Sequence, residues 1–263
     1  MSTLDDLLAQ EKWDIHAISD YFEALLEKAV GEVNAEFSPQ QLGKATREEE
    51  PLPTDTRQLS SYRTRIGIML EYAISTALAR LLKKEYGDKY FLTFATSPEY
   101  PDFYLRDNAM TALLRIEMKA VDAESDEQAA RFSTPTIWID NNKDMLLLVG
   151  WKWEDLHDPN GSLVGEYPFI FASTILPAGE IAMERDRRLT ITRGKIEGEE
   201  VYVYSRKESK YVRDPGNYGK FWRIVHSTRR RSGQLSDALR KFMDFLRKID
   251  EQSPRSRLGS GGA

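Results

Sequence analysis

Apolar positions recur at helical spacing near the N-terminus and again after residue 59, and only then does the pattern shorten to strand-like runs. Ile15, Ile18, Phe22, Leu25, Leu26, Ala29 and Val33 share one side of a helical wheel, which predicts an amphipathic helix over about Trp13 to Val33. The stretch from Phe37 to Leu59 holds three prolines, Gly43 and the acidic run Glu48 to Glu50, and reads as a linker or long surface loop. A long helix follows over about Leu59 to Tyr86, with Gly87 as its terminator. On it, positions 64, 67, 68, 71, 74, 75, 78 and 82 form one face, largely apolar but for Glu71.

Strands are predicted at 89 to 96, 102 to 106 and 112 to 121, the first rich in aromatic and β-branched residues. A polar piece from Ala123 to Phe132 reads as helical. The apolar run from Asp144 to Trp151 then has the content of a buried strand. Beyond Tyr167 the pattern turns β-rich, with strands predicted at Pro168 to Ile175, Arg188 to Thr192, Val201 to Ser205 and Phe221 to Val225. Leu235, Leu239, Phe242, Leu246 and Ile249 mark a final amphipathic helix capped by Ser236, and the Pro, Arg, Ser and Gly of residues 253 to 263 predict a disordered tail. The expected division is an N-terminal helical region and linker (1–58), a core (59–252) and that tail. The expected fold is α/β, a central mixed sheet flanked by helices with added β-rich and helical C-terminal elements.

With 263 residues, 41% of them hydrophobic and 30% charged, the composition is that of an ordinary globular chain. No apolar run approaches the roughly 20 residues that span a bilayer, and the N-terminus lacks a secretory pattern, so a cytoplasmic protein is expected. Cysteine is absent and the three histidines are scattered, so any metal must be held mainly by oxygen. Charge is segregated: residues 1 to 60 carry 13 acids and 5 bases, whereas Lys220 to Arg257 carry 11 bases and 4 acids. That distribution suits one surface facing a polyanion, despite a net charge of -5. No P-loop occurs, so no nucleotide cofactor is expected.

The segment that carries chemistry runs from Tyr100-Pro-Asp-Phe to Arg115-Ile-Glu-Met-Lys-Ala. In a strand, Ile116, Met118 and Ala120 share one face, leaving Glu117 and Lys119 side by side on the other. Asp102 comes to lie beside Glu117 if residues 107 to 111 turn the chain between paired strands. Two close carboxylates repel, and a hard divalent cation such as Mg2+ relieves the repulsion while keeping waters and reaching a phosphate. The lysine can then orient or help deprotonate a water and stabilise charge on the phosphate.

Pro101-Asp102, fourteen residues, then Glu117-Met118-Lys119 resembles the signature of the PD-(D/E)XK nucleases, a family that includes many type II restriction enzymes. The resemblance covers about residues 60 to 153. It implies a mixed sheet flanked by helices, Mg2+-dependent phosphodiester hydrolysis in double-stranded DNA leaving a 5′-phosphate, and Glu71 as an accessory or water-mediated metal ligand. It also implies a type II restriction endonuclease working as a homodimer. A modification-dependent or repair nuclease, or a non-catalytic DNA-binding protein on the same fold, are the alternatives. Glu208-Ser209-Lys210 also fits E-x-K, but in a polar stretch without an upstream Pro-Asp. Arg229, Arg230 and Arg231 are the expected DNA contacts, since arginine's planar fork fits both phosphate and guanine. Lys207 to Lys220, with Tyr211 and Tyr218, is a second candidate contact surface. Trp151 and Trp153 are expected to pack.

Overall fold

The computed structural model describes residues 2–36, 56–95, 100–124, 130–191, 195–196, 199–200, 218–229 and 233–253. Helices α1 (Leu4–Leu8), α2 (Ile15–Glu36) and α3 (Thr56–Tyr86) come first. Strands β1 (Tyr90–Phe94), β2 (Phe103–Asp107), β3 (Ala112–Asp122), β4 (Asp144–His157) and β5 (Leu163–Pro177) then form one sheet in that spatial order. Neighbours pair antiparallel except β3 with β4, which run parallel, so the sheet is mixed. Helices α4 (Ala178–Ile191), α5 (Phe221–Arg229) and α6 (Asp237–Gln252) follow, with a two-residue ladder of β6 (Lys195–Ile196) and β7 (Glu199–Glu200) between α4 and α5.

Alternation along β4 explains the layering. Met145, Leu147, Val149 and Trp151 face the α2–α3 side, together with Phe103, Leu105, Ile116 and Met118. Leu146 and Leu148 face the opposite side, where Ile181, Phe221, Ile224, Phe242 and Leu246 of the later helices pack. A strand buried on both faces needs no polar alternation, which is why residues 145 to 149 form an unbroken apolar run. Gly150 lets α6 approach, since a Cβ there would lie 2.2 Å from Ile249 Cδ1. Trp151 is buried and meets Trp153 edge to face, as expected of packing residues.

α2 also closes the edge of the sheet. Ser19 donates to the Ile175 carbonyl, Glu23 accepts from the Ile175 N–H, and the Asn34 amide takes both backbone groups of Ile170. These side chains satisfy groups that an exposed edge strand would offer to another chain.

Several expected elements differ. Arg188 to Thr192 is not a strand through its described part, because α4 runs through to Ile191: a helix seeded at Ala178 extends at low cost through a short β-branched run. Phe221 to Val225 is helical, since the buried positions are 221, 224, 225 and 228, a helical period that a five-residue window conceals. Where it is described, the segment from 123 to 132 holds a turn at Ala123 and Glu124 and a bridge at Arg131, not a helix. The face assigned to α3 holds in its C-terminal half, where Ile74, Ser75, Leu78 and Leu82 are buried, but Leu70 and Ala77 join them while Ile68 is exposed and Glu71 sits at the rim. The 201–205 strand, Glu208 to Lys210, the tail from 254 and residues 37–55 of the Phe37–Leu59 linker lie outside the described residues, while the last part of that linker, 56 to 59, is the first turn of α3. Among the described residues no helix is long and apolar enough to cross a membrane.

Candidate active site

Residues 107 to 111 do turn the chain between β2 and β3. Thr111 N–H donates to Asp107, and Met110 takes a positive φ of 64° at the corner. The ladder pairs Phe103 with Ile116, after which β2 and β3 part. β1 continues for one more residue, with Ala95 N–H donating to the Asp102 carbonyl. The backbone N–H of Met118, beyond the end of that ladder, donates instead to the Asp102 carboxylate at 2.7 Å. Asp102 is therefore held beside the Glu117–Lys119 segment by a hydrogen bond to the residue between them.

On β3, Ile116 and Met118 enter the core with α3, and Glu117 and Lys119 take the other side. Lys119 Nζ lies 2.6 Å from Glu117 Oε1 and 3.7 Å from Asp102 Oδ2, and it donates to the Met118 carbonyl at 2.9 Å. One ammonium thus spans two carboxylates. The second oxygen of Glu117, Oε2, is buried and has no hydrogen-bond partner, in a residue only 7% exposed. An orphaned buried carboxylate oxygen fits a bound cation or an ordered water.

The electrostatics agree. Burial, partly opposed by Lys119, pushes the Glu117 carboxyl above its ordinary pKa. Burial works against the Lys119 charge, but Glu117 and Asp102 outweigh it and hold the ammonium above its usual value. Glu71, on α3, is pushed up to about 7 by burial and by the negative charge of Asp102, with Lys119 opposing. All three partners therefore act on Glu71, and the structure brings the four residues into one electrostatic group. Among the described residues no three acids or histidines converge into a ready-made metal cage. That donor set fits magnesium, which binds through one or two carboxylates and keeps its remaining positions for water and phosphate.

A supporting network went unread in the sequence. Asp144, fully buried at the start of β4, accepts from Arg115 Nε at 2.5 Å, Arg115 Nη2 at 2.6 Å, Tyr100 Oη at 2.6 Å and Asp140 N at 2.9 Å. Arg115 is Asp144's register partner on β3, and Tyr100 lies two residues before Asp102. The network ties the approach to Asp102 onto the strand that carries Glu117. An acid opening an apolar strand was its only signal in the sequence.

Arg229 is exposed at the end of α5, while Arg230 and Arg231 lie outside the described residues. The second contact surface is corrected where it is described: Tyr218 and Lys220 are buried, and Tyr218 bonds to Asp186. α6 carries four bases and four acids, so the C-terminal positive excess belongs to the other residues between 220 and 257. No protein-family model and no curated protein matches the chain.

Proposed function

We propose that this protein is a magnesium-dependent DNA endonuclease of the PD-(D/E)XK kind, with a type II restriction enzyme cutting double-stranded DNA as the specific form. The observation that carries the reading is the buried, unpartnered Oε2 of Glu117 beside Asp102 and Lys119. An ion pair built for stability would satisfy both oxygens.

Asp102 and Glu117 would hold the ion, with Glu71 as an accessory acid. When bound, magnesium supplies the Lewis acidity and charge neutralisation that attack on a phosphodiester requires. Lys119, kept as an ammonium by its two acids, stabilises the charge that builds on the phosphate as water attacks in line. Met118 N–H fixes the Asp102 carboxylate, so its orientation is set before substrate arrives. Cutting both strands at one site would use two copies, in a homodimer.

Digestion of unmodified and methylated DNA with magnesium, wild type against Lys119→Ala, tests the reading. Discrete fragments of unmodified DNA from the wild type alone are expected. Cleavage of methylated DNA only would point to a modification-dependent enzyme. DNA binding without magnesium-dependent cleavage would leave a non-catalytic DNA-binding protein.

A further inference from the structure

Phe103, which follows Asp102, is fully buried, and its ring meets Phe94 edge to face at 6.0 Å between centroids. Phe94 lies nearly parallel to Tyr72, 5.8 Å between centroids and 16° between planes. The outer two rings are open to solvent, Phe94 at 45% and Tyr72 at 63%. Both adjoin the candidate site in the chain: Tyr72 follows Glu71, and Phe94 precedes Ala95, the residue bonded to Asp102.

The stack continues along α3. Ile68 is 60% exposed one turn before Tyr72, and Arg65 is exposed a further turn back. The C-terminal half of the same helix behaves differently, presenting Arg80 paired to Glu32 and Glu36, and Lys83 paired to Asp88. An outward face that is ion-paired at one end and apolar and aromatic at the other has a reason to stay uncovered only at the second end.

We propose that the Tyr72–Phe94 stack, backed edge-on by Phe103, is a platform for one nucleobase turned out of the duplex at the catalytic group, so that a site whose nucleotide is already unpaired is bound more readily. This rests on the nuclease reading and narrows its substrate. Aromatic faces take any base, and a ring already stacked on a neighbouring ring loses little freedom when a base lands on it. Tyr72 has its outer side open, Phe94 behind it and Phe103 behind that. Arg65 supplies a cation for the phosphate that such a nucleotide carries.

The test is binding of the full chain in EDTA to 2-aminopurine oligonucleotides, one with a single unpaired position in a duplex and one fully paired. Wild type should prefer the unpaired probe and quench its fluorescence. Tyr72→Ala should weaken that binding by about tenfold and abolish the quench, while Tyr72→Phe retains both. A Phe94→Ala variant, which removes the ring behind Tyr72, should weaken the unpaired probe as well. Equal affinity and equal quench in Tyr72→Ala would overturn the proposal. So would a parallel loss on both probes with a shift from dimer to monomer in sedimentation, which would assign the surface to a second copy. The nuclease reading fails separately, by the absence of magnesium-dependent cleavage in wild type, and the binding readout does not depend on cleavage.

Discussion

Two buried carboxylates meet β3 two residues apart and are treated in opposite ways. Asp144, in register with Arg115, has both oxygens satisfied by a bidentate guanidinium, a phenol and a backbone N–H. Glu117, in register with Leu146, has one oxygen on Lys119 and the other on nothing. Both lie on the paired strands β3 and β4 and both are buried. A carboxylate that organises the fold is saturated with donors. On the reading proposed above, Glu117 keeps an oxygen free for an ion and tolerates the upward push of burial on its pKa.

That contrast breaks most visibly at Asp144. Asp144→Ala strands the Arg115 guanidinium and should cost about 3–5 kcal/mol in urea unfolding, a large part of a typical domain's stability. A loss below about 1 kcal/mol would mean the network is ornamental. Lys119→Ala should lower cleavage by roughly 10²–10³-fold, the scale of removing one preorganised group at a developing charge, while the fold survives. Unfolding as severe as that of Asp144→Ala would make Lys119 structural.

Glu117→Gln keeps the shape and removes a charge that burial disfavours. It should leave thermal stability unchanged or raise it at neutral pH, yet weaken Mn2+ or Mg2+ binding in calorimetry by more than about tenfold. Destabilisation with unchanged metal affinity would reverse the assignment of the two carboxylates.

The smallest effect concerns Glu71. Its folded pKa of about 7 lies above the ordinary 4.5, so between those values the metal-free fold holds a proton that the unfolded chain releases. Stability should therefore fall as pH rises from about 4.5 to about 7. Glu71→Gln removes this component: the variant should melt higher than wild type above pH 7, and the gap should close below pH 4.5. A gap independent of pH would place Glu71 outside the electrostatic group.

Much of the site was legible because it rests on local rules. Strand alternation puts Glu117 and Lys119 on one face whatever the rest of the chain does, and the short 107–111 segment returns β2 antiparallel onto β3. Asp102 needed one more fact, that β2 and β3 part after Phe103 and Ile116 so that its carboxylate takes Met118 N–H. The exposed Tyr72–Phe94 stack was invisible, since aromatic residues on a helix and a strand read as core until the packing shows which sides are covered. The N-terminal half of the α3 face failed for the same reason, because Ile68 and Leu70 differ only in which side meets the sheet.

By itself, then, the sequence determined the period of each long element and the pairing of charges two residues apart, because those depend on backbone geometry alone. It also carried the apolar run of β4 and the Ser236 cap of α6. The tertiary structure decided which short segments follow a neighbour's helix rather than their own β-propensity, as in α4 and α5. It decided as well that Asp144 is saturated while Glu117 is not, since the partners of a buried carboxylate come from segments distant in the chain. Burial makes those partners matter, and only the packed sheet says which of them arrive.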